Sequence, residues 1–67
     1  EREIAKNISK EKGTFSVAEV LEELEKNSLL KENERKEVMK EINDWIKDDP
    51  FCQLKSADEG IKKYSFT

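Results

Sequence analysis

The sequence predicts a small α+β fold of three helices followed by a C-terminal two-stranded β-hairpin. Apolar residues recur at helical spacing in three segments that precede Pro50. After Pro50, two runs rich in aromatic and branched residues flank a polar loop that contains Gly60, a pattern typical of a hairpin. We expect residues 1–67 to form a single domain cut from a longer protein, because the chain starts at Glu1 and not at methionine.

The first helix is predicted within EREIAKNISKEKG, residues 1–13. Its apolar positions at helical spacing are Ile4, Ala5 and Ile8. Gly13 follows the last lysines of this segment, where a glycine commonly ends a helix because it accepts the left-handed conformation. We expect Thr14 and Phe15 to form a short extended piece before the second helix.

The start of the second helix has the most specific local signal in the chain. Ser16 is followed three residues later by Glu19, the spacing of a capping box, in which the hydroxyl and the carboxylate each satisfy a free backbone N–H. Phe15 precedes this cap and can meet Val20 as a hydrophobic staple. The residues predicted to face the core are Val17, Val20, Leu21 and Leu24.

The third helix is predicted to run from a cap at Asn33 to about Asp48. Pro50 ends it, because the residue before a proline is pushed out of the helical region. The SLLKEN segment before this helix is expected to supply Leu29 and Leu30 to the core. The predicted buried stripe of the third helix is Val38, Ile42, Trp45 and Ile46, with Met39 at its edge.

The predicted hairpin strands are FCQLK, residues 51–55, and IKKYSF, residues 61–66. They flank the loop SADEG, residues 56–60, in which Gly60 is available for a left-handed turn position. Cys52 lies in the apolar part of the first strand, so we expect a buried core thiol. As the single cysteine, it cannot form an internal disulfide.

The order helix, extended piece, helix, helix, strand, strand resembles the winged helix, a helix-turn-helix variant whose C-terminal hairpin is called the wing. The second half of the chain looks similar to the domain of the beta subunit of the general transcription factor TFIIE, through the helix that ends near Pro50 and the Lys-Tyr-x-Phe ending at residues 63–66. It also resembles the HARE-HTH group found with chromatin and restriction proteins, through the aromatic-led strand at residues 51–54 and the glycine turn. Both resemblances imply a non-enzymatic nucleic-acid or transcription-complex module, which would be intracellular, in the nucleus or the cytoplasm.

Composition argues against several functional classes. The chain has no histidine and one cysteine, so the usual zinc-ligand sets have no members and we expect neither a metal nor a cofactor. It has no glycine-rich phosphate loop and it is too small to shelter a cleft from water, so we expect no catalytic residue and no small-molecule substrate. No apolar run is long enough to span a bilayer, so no membrane partner is expected.

The exposed residues of the third helix separate into two flanks when they are projected at about 100° per residue around Ile42. The basic flank is Lys36, Lys40, Asn43 and Lys47. The acidic flank is Glu37, Glu41, Asp44 and Asp48. The alternation of charges along the sequence is therefore a segregation in space.

We expect the basic flank and the lysines of the hairpin to bind the phosphates of double-stranded DNA, with Asn43 suited to reading the edge of an adenine. The candidate binding residues are Lys36, Lys40, Asn43, Lys47, Lys55, Lys62 and Lys63. Arg35 is a weaker candidate for a base edge, because its projected direction is close to the buried face. Since the net charge of the chain is −3, the distribution of charge matters more here than its sum.

The alternative is an acidic surface that docks a basic protein partner in a transcription, chromatin or replication assembly. Its candidate residues are Glu19, Glu22, Glu23, Glu37, Glu41 and Asp44. A third interpretation is an ordinary solvated helix, whose opposite charges form i, i+4 pairs worth only about a few tenths of a kcal/mol each.

Overall fold

The computed structural model describes residues 1–66 and confirms the three helices and the C-terminal antiparallel hairpin. The helices are α1 (Arg2–Lys12), α2 (Val17–Lys26) and α3 (Arg35–Asp48), and one turn of 3₁₀ helix (Glu32–Glu34) precedes α3. The strands are β1 (Cys52–Asp58) and β2 (Ile61–Phe66).

α1 ends as its sequence predicts. Gly13 has φ 87° and donates its backbone N–H to the carbonyl oxygen of Ser9 at 2.7 Å. A side chain at this φ is strained, so glycine at position 13 gives the chain a sharp exit from the helix. Ala5 is fully buried on the inner face of α1, and Ile4 and Ile8 pack around it.

Half of the predicted capping box of α2 is present. The Ser16 hydroxyl accepts the backbone N–H of Glu19 at 3.2 Å, as expected. The Glu19 carboxylate, which the capping box would direct back to the backbone of Ser16, is instead hydrogen bonded by two lysine side chains. Two ammonium groups are stronger partners for a carboxylate than one amide, and this explains the difference.

The segment between α2 and α3 differs from the prediction at two residues, Leu29 and Asn33. Leu30 is buried but Leu29 is 67% exposed, so only one of the two leucines reaches the core. After α2, Ser28 takes a left-handed φ of 59° and the N–H of Leu29 bonds the carbonyl of Leu24 at 2.8 Å, which is a Schellman ending. The chain is extended at Lys31, directly after the two leucines, and adjacent side chains of an extended chain point to opposite sides, which is consistent with one leucine facing outward.

Asn33 is not the cap of α3. It lies inside the 3₁₀ turn, and Glu34 occupies the position before the helix without a capping hydrogen bond from its side chain. The Glu34 carboxylate accepts the backbone N–H of Lys31 instead, at 3.2 Å. The chain therefore enters α3 through a tighter helical turn that the residue types did not reveal.

α3 presents the predicted stripe to the core. Ile42 and Ile46 are buried, while Val38 and Trp45 are partly buried against the same cluster. The helix ends before Pro50 as expected, with Asp49 in an extended conformation.

The hairpin turn is shorter than predicted. Strand β1 continues through Asp58 and pairs that residue with Ile61, so only Glu59 and Gly60 connect the strands. Their φ angles of 54° and 78° are both positive, as in a type I′ turn, whose twist suits a two-residue hairpin. β1 also begins at Cys52, because Phe51 still belongs to the turn after α3.

Phe15 joins the helices to the hairpin. Its ring is fully buried and stacks on Phe66 with ring centroids 5.2 Å apart, next to Trp45 and Tyr64. Its backbone forms an isolated antiparallel bridge to Tyr64, so the predicted extended piece acts as a one-residue third strand. The core therefore lies between the three helices and one face of the hairpin.

Candidate nucleic-acid interface

The two charged flanks of α3 lie on opposite sides of the buried Ile42–Ile46 stripe, and all eight of their side chains are exposed. No side chain of the basic flank forms an ion pair within residues 1–66. The lysines of this flank therefore remain available to an external anion.

A groove of about 250 Å³ lies between α3, the start of α2 and the hairpin. Asn43 lines it from α3 and Lys62 lines it from β2, so two of the predicted binding residues share one concave surface. Val17 and Ala18 form the α2 wall, and Ile61, which is about half exposed, forms part of the hairpin wall. These apolar walls were not anticipated as part of the site, because helical spacing alone assigns Val17 to the core.

The ammonium group of Lys63 is already paired with a side chain of the protein. Its Nζ donates to Oε1 of Glu19 at 2.9 Å, while Nζ of Lys12 donates to Oε2 of the same carboxylate at 3.0 Å. This Lys12–Glu19–Lys63 cluster connects the end of α1, the first turn of α2 and β2. Lys63 was expected to contact a phosphate and Glu19 a basic partner. In the structure these two side chains are instead paired with each other.

The ionisation of Glu19 reflects these partners. Burial by itself would raise the pKa of this carboxyl, but hydrogen bonds from Lys63, Lys12 and Ser16, together with the charge of Lys63, hold the pKa at about 2. The hydrogen bond between Lys12 and Glu19 also raises the pKa of Lys12. No local sequence signal points to this cluster, since Lys63 lies 44 residues from Glu19 along the chain.

The acidic flank of α3 lies towards the N-terminus of α1. The Glu41 carboxyl is close enough to Glu1 for a side-chain hydrogen bond, and this contact and the charge of Glu1 raise the pKa of Glu41. Nearby, Nε of Arg2 lies 3.5 Å from Oδ2 of Asp49, and its guanidinium lies over the Trp45 ring at 5.3 Å from the centroid. Asn43 of the basic flank therefore faces the hairpin, whereas Glu41 of the acidic flank interacts with Glu1 just before α1.

The remaining acidic candidates occupy a third surface. Glu22 and Glu23 line a groove of about 440 Å³ between α1 and α2, together with Glu11 and Lys10. Glu22 and Glu23 are thus separated from Glu37, Glu41 and Asp44, and the acidic residues proposed for one protein surface are divided between two.

Arg35 and Lys55 differ in their availability. The guanidinium of Arg35 is paired with the carboxylate of Glu25 on α2. Lys55 is exposed at a bulge in β1 between Leu54 and Ser56, where it has no partner residue in the strand register. Lys55 is therefore free to reach outward from the edge of the hairpin.

The Cys52 thiol is less buried than predicted. It is half-buried against the core, and burial raises its pKa, with a smaller effect in the same direction from Asp49. A raised pKa lowers the fraction of reactive thiolate. Within residues 1–66, no group of three or more histidine, cysteine, aspartate or glutamate side chains is arranged to hold a metal ion.

Comparison of the chain with protein-family models, with curated proteins and with solved structures gives no match. In the described part of the chain, none of the helices is both long and apolar enough to cross a membrane.

Proposed function

We propose that this domain is a non-enzymatic winged-helix module that binds double-stranded DNA through the basic flank of α3 and the hairpin, as part of an intracellular transcription- or chromatin-related protein. The observation that carries the proposal is the shared groove of Asn43 and Lys62. A helix that offers an amide for base edges, beside a hairpin that offers a lysine for phosphates, is suited to a duplex, which needs both kinds of contact.

The position of the acidic flank of α3 supports the same orientation. Glu41 of the acidic flank interacts with Glu1, which precedes α1, whereas Asn43 of the basic flank shares a groove with the hairpin. A duplex seated on the basic flank and the hairpin would thus have the acidic flank turned away from its phosphates. This arrangement reduces the repulsion that a net charge of −3 would otherwise cause.

DNA binding through these lysines should weaken steeply as salt is added. Lys63 is paired with Glu19, so five lysines remain for phosphates, and they are Lys36, Lys40, Lys47, Lys55 and Lys62. Each neutralised phosphate contributes about −0.9 to the slope of log affinity against log salt, so we expect a slope of about −4.5. Fluorescence anisotropy of a labelled duplex, titrated with the domain at several salt concentrations, measures this slope.

A matched pair of variants tests the location of the contact. Lys40→Met removes a lysine of the basic flank and should make the slope less negative by about 0.9. Lys10→Met removes an exposed lysine of α1, which lies in a separate notch beside Ser9 and Phe66, and should leave the slope unchanged. The proposal fails if the native domain does not bind the duplex at low salt, or if both variants change the slope equally.

Docking of a basic protein segment is the second candidate function, and one contact favours it. The hydrogen bond and the charge of Glu1 raise the pKa of Glu41, so a cation placed beside these two carboxyls would relieve their repulsion. A basic peptide used as a probe should then shift the NMR signals of Glu37, Glu41 and Asp44. This candidate would be excluded if duplex DNA shifts the signals of the basic flank (Lys36, Lys40, Asn43 and Lys47) and of Lys62, while the peptide shifts none.

A further inference from the structure

The Lys12–Glu19–Lys63 cluster joins three elements through one carboxylate. Each lysine binds a different oxygen of Glu19, at 3.0 Å for Lys12 and 2.9 Å for Lys63. The Glu19 side chain is only 19% exposed, and that of Lys63 is 36% exposed. The contact is therefore partly shielded from solvent, unlike an ordinary pair on the surface of a helix.

The position of Lys63 along β2 gives this contact a mechanical role. Tyr64 is tied to Phe15 by two backbone hydrogen bonds, and Phe66 is tied to the core by ring stacking. Towards the turn, residues 59–62 are exposed. Lys63 lies at the boundary between these two parts, and its bond to Glu19 ties the hairpin to α2 next to the exposed tip.

Lys62, the next residue towards the tip, lines the groove that contains Asn43. Because neighbouring strand residues point to opposite faces, the orientation of Lys63 also determines where Lys62 points. Fixing Lys63 on α2 therefore fixes the direction in which Lys62 is presented to a partner in the groove.

We propose that Glu19 and Lys63 are positioning residues, which hold the hairpin tip beside α3 so that Lys62 and Asn43 act on the same stretch of DNA. This inference rests on the proposed function for its consequence in binding, but its structural part stands without DNA. It assigns Glu19 and Lys63 a role that differs from both a phosphate contact and a protein-docking acid.

The substitution Glu19→Gln separates positioning from simple electrostatics, because the two predict opposite signs. Removing an acid and releasing two lysines should strengthen DNA binding and steepen its salt dependence if only charge matters. Positioning predicts weaker binding, by about threefold or more, the size expected for coupled neighbouring residues. The salt slope should become less negative, by up to about 0.9, because Lys62 loses its phosphate. Tighter binding with a steeper slope would overturn the proposal.

Matched variants control for charge and for folding. Glu22→Gln removes an exposed acid of the same helix and should change affinity only slightly, in the direction of tighter binding. Lys63→Met should weaken DNA binding as Glu19→Gln does. Lys63→Arg retains a donor for Glu19 and should bind DNA as the native domain does. All variants are compared at a temperature at which circular dichroism shows them to be folded, and the Lys63 pair supplies the answer if Glu19→Gln does not fold.

A measurement without DNA distinguishes the two proposals. Residual dipolar couplings report the orientation of β2 relative to α2, which should change in Glu19→Gln and Lys63→Met but not in Glu22→Gln or Lys63→Arg. An unchanged orientation in Glu19→Gln and Lys63→Met would overturn the positioning role, whatever the affinity. Failure of the native domain to bind DNA, together with the expected change in orientation, would remove the proposed function and leave Glu19 as the residue that orients the hairpin.

Discussion

Phe15 and Tyr64 exchange both of their backbone hydrogen bonds, each with an N···O distance of 2.8 Å. The pair joins the segment between α1 and α2 to the C-terminal strand, so residues from both ends of the chain meet at the core. Because the Phe15 ring is also fully buried, separating this pair would expose the centre of the fold.

We therefore expect the amides of Phe15 and Tyr64 to exchange hydrogen only when the whole domain unfolds. The amides of Glu59 and Gly60, in the exposed turn of the hairpin, should exchange through local opening and much faster. Native-state hydrogen exchange followed by NMR measures both pairs in one sample. Equal exchange rates for Tyr64 and Gly60 would show that the hairpin opens independently of the helices.

The low pKa of Glu19 predicts a loss of stability in acid. Its pKa is lowered from 4.5 to about 2, so its stabilising contribution is complete above about pH 4.5 and is lost as the pH falls towards 2. Allowing for solvent screening, we expect this contribution to be about 1–2 kcal/mol. Urea unfolding of the native domain and of Glu19→Gln should differ by this amount at pH 7 and converge near pH 2.

The control for this pH dependence is Glu22→Gln, because Glu22 is exposed and lies in the same helix without an ion pair among the described residues. It should follow the native domain at both pH values. A difference between the native domain and Glu19→Gln that stays constant from pH 7 to pH 2 would contradict the assignment.

Two adjacent leucines should respond very differently to truncation. Leu30 is 9% exposed and belongs to the core, so Leu30→Ala should lower the free energy of unfolding by about 2–4 kcal/mol. Leu29 is 67% exposed, so Leu29→Ala should change it by less than about 0.5 kcal/mol. Chemical denaturation of the two variants provides the comparison, and similar losses would mean that both side chains are buried in solution.

The hairpin turn should depend on the backbone conformation of residues 59 and 60. Gly60 has φ 78° and no heavy atom within 4 Å of the position that a Cβ would take, so Gly60→Ala should cost only the conformational strain, about 1 kcal/mol. Glu59 has φ 54°, so Glu59→Asn should stabilise the turn slightly, because asparagine tolerates this region better. Thermal unfolding measures both changes, and a stabilising Gly60→Ala would rule out the type I′ turn.

Local patterns predicted the elements of this fold well where the physical cause was itself local. Gly13 ends α1 and Pro50 follows the end of α3, because each acts on the backbone of its own neighbourhood. Two of the predictions that were wrong, Asn33 as a cap and Leu29 in the core, lie between α2 and α3. In that segment a left-handed residue at Ser28 and a 3₁₀ turn before α3 set the path of the chain, and no specific residue type marks either of them.

The length of the hairpin loop was misjudged for a similar reason. Ser56 and Asp58 are common in loops, yet both pair within the sheet, opposite Lys63 and Ile61. A two-residue turn at Glu59 and Gly60 lets the strands pair further, and that gain in pairing outweighs the weak strand preference of these residues.

The order of the helices and the hairpin and the segregation of charge on α3 follow from the sequence, because helical and strand periodicity place each side chain relative to its own backbone. Which charged side chains are free depends on how the elements pack together. Lys62 and Lys63 are adjacent in sequence, but the fold brings Lys63 against Glu19 and leaves Lys62 in the groove with Asn43. Contacts between residues this far apart depend on how whole elements pack, and no short pattern in the sequence specifies them.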